Sequence, residues 1–145
     1  MKCIVQRVSG AEITINGSFS GKIGKGMVVL CGFTEGDDLN TVSYCVDKIA
    51  SLRIFEDENG KMNLSVLDVK GQILAVSQFT LCGDVRHGNR PSFITAMAPD
   101  MAKEGYSAFC AALRTHGAEV KEGIFGADMQ INQLNDGPVT IWYDI

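Results

Sequence analysis

Ile73-Leu74-Ala75-Val76-Ser77-Gln78-Phe79-Thr80-Leu81 is the stretch that organises the rest of the chain. Four apolar residues with β-branched ends read as a buried strand, which then gives way to hydroxyls and an amide. An amphipathic helical pattern lies on either side. Upstream, Leu39, Val42, Cys45, Val46, Ile49 and Leu52 recur at three and four residues, predicting a helix over 38–52 with Asp38 and Thr41 able to cap its start. Downstream, Pro99 and Asp100 open a second helix running to about Thr115, with Met101, Tyr106, Phe109, Cys110 and Leu113 as its core face. Gly117 marks its exit. A buried strand between two such helices places the chain in the α/β class.

Strands dominate both ends. Residues 3–8 and 11–15 read as two strands separated by Ser9-Gly10, and Asn16-Gly17 supplies a hairpin signal. Residues 19–23 and 27–33 form a second pair around Gly24-Lys25-Gly26; these glycines lack the Gly-Lys-Ser/Thr ending and following helix of a phosphate loop. Glu56-Asp57-Glu58-Asn59-Gly60-Lys61 is a charged turn. Three more strand candidates lie near Glu119, over 129–134 and over 139–143. Between the last two stands Asn135-Asp136-Gly137-Pro138. Proline gives no N–H to a ladder, glycine relaxes the backbone before it, and the Gly-Pro bond is one of the few that can be cis. By themselves these residues suggest a hairpin turn; the alternative is a backbone that presents two bare carbonyls. No linker, repeat or low-complexity tract intervenes, so residues 1–145 read as one layered α/β domain with a mixed sheet.

Composition narrows the function. At 145 residues and 46% apolar content the chain can bury a proper core. Its longest strong apolar run, Met27-Val28-Val29-Leu30-Cys31, is strand-sized, and Lys2 and Arg7 bring charge too early for a signal peptide, so a soluble cytoplasmic protein is expected. Five scattered cysteines with no CxxC pair read as buried free thiols, and the two histidines have no ligand spacing, so no metal is expected. With a net charge of −4, any nucleic-acid contact must be a local patch on an acidic body.

Three segments carry candidate chemistry. Ser77, Gln78 and Thr80 sit at the C-terminal end of the buried strand, where α/β folds often place ligands. Ser77 and Thr80 are potential nucleophiles, yet the GxSxG elbow is absent and His87 is the only nearby candidate base. Arg86, His87 and Arg90 concentrate positive charge in one glycine-containing loop suited to phosphate or carboxylate. Phe125-Gly126-Ala127-Asp128-Met129 offers an aromatic and a thioether around small residues, a surface for core packing or for a base or ribose.

Taken in order, Ser77-Gln78-Phe79-Thr80-Leu81, Arg90-Pro91-Ser92-Phe93, Phe125-Gly126-Ala127-Asp128-Met129 and Asn135-Asp136-Gly137-Pro138-Val139-Thr140 resemble the D-aminoacyl-tRNA deacylases. Gln6-Arg7-Val8, residues 52–57 and Lys61-Met62-Asn63 fit as well, so the resemblance covers essentially the whole chain. It implies barrel-like β-sheets with two main helices, an interlocked homodimer with active sites at the subunit interface, and no cofactor. The implied reaction is hydrolysis of the ester between a D-amino acid and the 3′-terminal adenosine of tRNA. Ser77, Gln78, Phe79 and Thr80 become the catalytic segment; Phe125 and Met129 bind substrate; Gly137 and Pro138, as a cis pair lent to the partner's pocket, reject L-aminoacyl groups. Glycine, lacking a side chain, would pass that filter, so glycyl-tRNA is a further expected substrate. Arg7, Arg86 and Arg90 are candidate RNA contacts. Cys82 departs from the family, which has tyrosine expected after Leu81, and His87 and Asn89 make the loop less basic than in many members. Two mechanisms stay open, one with Thr80 as nucleophile and one in which the terminal ribose 2′-hydroxyl helps activate water. The rival readings are a small-ester esterase and a non-catalytic nucleic-acid-binding dimer.

Overall fold

A computed structural model describes residues 1–145. The order is β1 (Lys2–Ile15), β2 (Ser18–Ile23), β3 (Gly26–Gly32), α1 (Leu39–Ala50), β4 (Phe55–Glu56), β5 (Met62–Leu64), β6 (Gln72–Ser77), a 3-10 turn (Phe79–Cys82), α2 (Pro99–Thr115), β7 (Glu119–Glu122) and β8 (Met129–Asp144). The main sheet runs β2-β1-β3-β6-β7, with β8 also paired to β1. β1 is antiparallel to β2, β3 and β8, whereas β3, β6 and β7 are parallel. Parallel neighbours need a long crossover, and α1 and α2 supply the two that this order requires. β4 and β5 form a separate two-stranded ribbon.

Both faces of β3 and β6 are buried, which explains their unbroken apolar runs. Met27, Val29, Cys31, Ile73 and Ala75 enter the larger core beneath the helices with Val46, Ile49, Phe109 and Leu113. Alternate residues Val28, Leu74 and Val76 enter a second core with Val8, Ile13, Ile15 and Ile23. The mixed sheet thus curls around this second core into a nearly closed barrel. Each fully buried side chain of this size contributes about 1.5–3 kcal/mol. Asp38 caps α1: its Oδ1 accepts from the Thr41 amide at 2.8 Å, while Thr41 Oγ1 accepts from the Asp38 amide. Gly117, with φ of +92°, ends the α2 exit where left-handed backbone is needed. All five cysteines are free and buried.

Three local expectations change. The break at Ser9-Gly10 does not split β1; it survives as a register shift against β8 between Val8 and Gly10, whereas the shift between Gln6 and Val8 comes from extra residues of β8 around Gly137 and Pro138. The turn expected at 135–138 is absent, because β1 offers β8 a partner on both sides of that segment and the strand continues through it. Met101 is 59% exposed, and Ala102 takes its place in the α2 core stripe with Tyr106, Phe109, Cys110 and Leu113. Proline at the first turn fixes where the helix begins, and the 3.6-residue period then carries Met101 off the buried face.

Candidate active site

β6 delivers the polar segment and β3 holds it. The Gln78 amide donates to the Cys31 carbonyl at 2.7 Å, one step beyond the β6 ladder. The chain then tightens into the 3-10 turn, closed by Leu81 N–H to the Gln78 carbonyl at 3.2 Å and Gly83 N–H to the Thr80 carbonyl at 3.0 Å. The first N–H groups of such a turn, those of Phe79 and Thr80, have no acceptor inside it. Gly32 permits this approach: a Cβ there would stand 2.7 Å from the Gln78 carbonyl oxygen. Beneath the turn, Cys82 Sγ donates to the Phe33 carbonyl at 3.3 Å. Gln78 Nε2 donates to Thr80 Oγ1 at 2.5 Å, so the exposed threonine hydroxyl is already engaged as an acceptor.

Opposite lies the segment joining β7 to β8, and between the two walls opens a cavity of about 650 Å³. Ser77, Gln78 and Phe79 line one side, Phe125 and Met129 the other, and Phe93 with the start of α2 closes the end. The Phe79 and Phe93 rings sit 5.0 Å apart, tilted by 57°. Eleven of the 16 lining residues are hydrophobic and Asp128 is the one titratable side chain among them, so the cavity is an apolar container with polar groups at one lip. Neither histidine faces it. His87 borders a separate hollow with Asp84, Ser92 and Thr95, and His116 bonds Asp47 at 2.7 Å across the two helices.

Gly137 and Pro138 are exposed on β8 and do not line the cavity of their own subunit. Their peptide bond is cis, and Gly137 has φ of +130°. Behind them Arg7, only 6% exposed, donates from Nη1 to the Ile54 carbonyl at 2.7 Å and from Nε to the Asp136 carbonyl at 3.0 Å. A guanidinium so engaged presents little to an RNA surface; it braces the strand. Arg86 is exposed, but its guanidinium is paired with Asp84 through Nη2–Oδ2 at 2.6 Å. That arginine holds the Asp84 carboxyl down at about 2.

The model of the D-Tyr-tRNA(Tyr) deacylase family matches residues 4–144. The chain belongs to that family. Similar proteins named D-aminoacyl-tRNA deacylase include one from Lactobacillus acidophilus, 50% identical over all 145 residues of both chains, and one from Koribacter versatilis, 54% identical over 99% of this chain and 97% of the other. Among solved structures, the c-Myc DNA unwinding element binding protein superposes with a TM-score of 0.93 at 43% identity, covering 100% of this chain and 99% of that one. A protein described as a probable eukaryotic D-amino acid tRNA deacylase shares the fold at a TM-score of 0.85 and 19% identity, covering 99% and 98% of the two chains.

In this member of the deacylase family, the structure brings Ser77, Gln78, Phe79, Phe125 and Met129 together around one cavity. Thr80, next in the chain after Phe79, lies outside its lining, as do Gly137, Pro138, Arg7, Arg86 and Arg90. The residues that sequence reasoning passed over are Gly32 and Tyr106, which touch the walls from behind. A glycine at the end of an otherwise apolar strand was the available signal for Gly32. Nothing in the local sequence distinguishes Tyr106 from any core aromatic.

Proposed function

We propose that this protein is an ester hydrolase that removes D-amino acids from the 3′-terminal adenosine of tRNA. Water adds its oxygen to the acyl carbon, the bond from that carbon to the 3′-oxygen breaks, and the departing oxygen takes a proton, leaving tRNA and the free amino acid. The observation that carries this reading is an apolar cavity with Ser77, Gln78 and Phe79 in its wall, in a chain of the deacylase family. The terminal adenosine rests on Phe125 and Met129, and the N–H groups of Phe79 and Thr80 receive the developing oxyanion.

The ribose 2′-hydroxyl assists the attack. This is favoured over Thr80 as nucleophile by the lack of a base at the threonine, whose hydroxyl meets the Gln78 amide while His87 borders a separate hollow. Chirality is selected by a second copy of the chain: the carbonyls of its Gly137 and Pro138 enter this cavity and collide with an L side chain. Their exposure on β8, away from their own subunit's cavity, supports a donor role in a homodimer. Glycyl-tRNA passes the same filter and is cleaved.

The deciding experiment is deacylation of matched D- and L-tyrosyl-tRNA, with D cleaved and L spared. Equal cleavage of both, or of neither, rejects the assignment. A terminal 2′-deoxyadenosine separates the mechanisms: normal turnover on it, combined with loss of activity in Thr80→Ala, would establish the threonine nucleophile instead. A nucleic-acid-binding role without catalysis is the second reading, favoured by the name of the 43% identical solved relative; it predicts tRNA binding with no release of amino acid.

A further inference from the structure

We infer that the Tyr106 hydroxyl is a positioning group that sets the spacing between the two walls of the cavity. The inference rests on the cavity being the seat of the aminoacyl-adenosine. β6 and β7 run paired as far as Ala75 and Glu122, and Gly123 N–H then makes a further bond to the Ala75 carbonyl at 2.9 Å. Beyond that point the two chains part, one to Ser77 and the 3-10 turn, the other to Phe125 and Met129 on the facing wall. Tyr106, projecting from α2 and 4% exposed, reaches this fork. Its oxygen lies 2.9 Å from the Ala75 carbonyl oxygen and 3.2 Å from that of Gly123.

One hydroxyl proton is thus shared between a carbonyl two residues before Ser77 and another two residues before Phe125. The Tyr106 and Phe125 ring centroids are 6.4 Å apart, and a Cβ on Gly123 would lie 2.6 Å from Met129 Sδ. The fork is therefore packed against both recognition side chains: Tyr106 stands beside the Phe125 ring, and Met129 Sδ fills the space that a side chain at 123 would take. Burial holds the phenol in its protonated, donating form. Nothing about the hydroxyl touches the reacting atoms, and its effect belongs to binding of the adenosine rather than to the chemical step.

Tyr106→Phe removes one oxygen and keeps the ring, so the core stays filled. Steady-state deacylation of D-tyrosyl-tRNA by this variant is expected to show KM raised about fivefold with kcat within about twofold, the pattern of a contact made equally in ground and transition states. Phe125→Leu and the double variant complete a cycle, in which the two changes are expected to be non-additive in kcat/KM. A lowered melting temperature with unchanged KM in Tyr106→Phe would make the hydroxyl a stability element only and overturn the inference, as would strict additivity. If Phe125→Leu itself left KM unchanged, the cavity assignment would fall first, and the two failures are thereby distinguished.

Discussion

Arg7 and Asp136 face each other across the β1–β8 pair, with Arg7 Nε 3.0 Å from the Asp136 carbonyl oxygen and 3.4 Å from its Oδ2. The same guanidinium satisfies the Ile54 carbonyl at 2.7 Å, and a Cβ on Gly137 would sit 3.2 Å from Nη2. One buried side chain therefore ties the β4 approach, the β1 bulge and the 136–138 segment into a single unit.

Replacing Arg7 by lysine keeps the charge and loses the fork that reaches two carbonyls at once. Arg7→Lys is expected to lower unfolding free energy by about 1–3 kcal/mol in urea denaturation, through a buried carbonyl left without a donor. It is also expected to raise L-tyrosyl-tRNA cleavage relative to D, because the 137–138 carbonyls lose their brace. A variant with wild-type stability and undiminished D over L preference would remove Arg7 from this role.

Gly32→Ala is expected to cut kcat by more than about tenfold, since its methyl group falls 2.7 Å from the Gln78 carbonyl oxygen and 3.3 Å from Leu81 Cβ, both in or beside the 3-10 turn. Backbone cannot rotate away as a side-chain tip can. Full activity in the alanine variant would show that the turn tolerates displacement from β3.

Thr80→Ala is expected to retain at least about a tenth of wild-type kcat, because the backbone N–H survives and only the hydroxyl that accepts from Gln78 is lost. Single-turnover deacylation measures this directly, and a trapped acyl-enzyme on the wild-type protein would contradict it.

His116 has acceptors at both ring nitrogens, the Ala112 carbonyl 3.0 Å from Nδ1 and Asp47 Oδ1 2.7 Å from Nε2. Only the doubly protonated imidazolium can donate to both. Its pKa is accordingly raised, first by the Ala112 carbonyl and then by Asp47. Because the folded value lies above the unfolded one, the stabilisation is complete below about pH 6.5 and is lost as pH rises through the folded pKa. Asp47→Asn should lower the His116 pKa in an NMR titration; an unchanged value would mean that the pair does not persist in solution.

Much of the architecture was legible because its causes are local. The three-and-four spacing from Val42 to Ile49 produces α1, and the Asp38–Thr41 cap begins it where the side chains indicated. The unbroken run of β6 reports burial on both faces, and the change to Ser77 and Gln78 marks where the strand leaves the core for the cavity. Phe125 and Met129 reached the same cavity from 48 and 52 residues beyond Ser77, in keeping with the ordered motifs. Read alone, the segment at 135–138 suggests a turn; the resemblance implies a cis Gly137-Pro138 bond instead, and the bond is cis. Glycine and proline favour a turn when no partner is present, and no neighbouring residue reveals that β1 waits on both sides of it.

By itself, the sequence determined the two helices, the buried run of β6 and the segments that carry chemistry, since propensity, periodicity and capping act over a few residues. Only the tertiary structure decided that Arg7 is an internal brace, that Gly32 and Tyr106 meet the backbone leading into the cavity walls, and that Gly137 and Pro138 lie outside the cavity of their own chain. Those outcomes depend on which distant backbone a side chain meets, and that is settled by β-pairings such as β1 with β8, whose partners stand more than 100 residues apart in the chain.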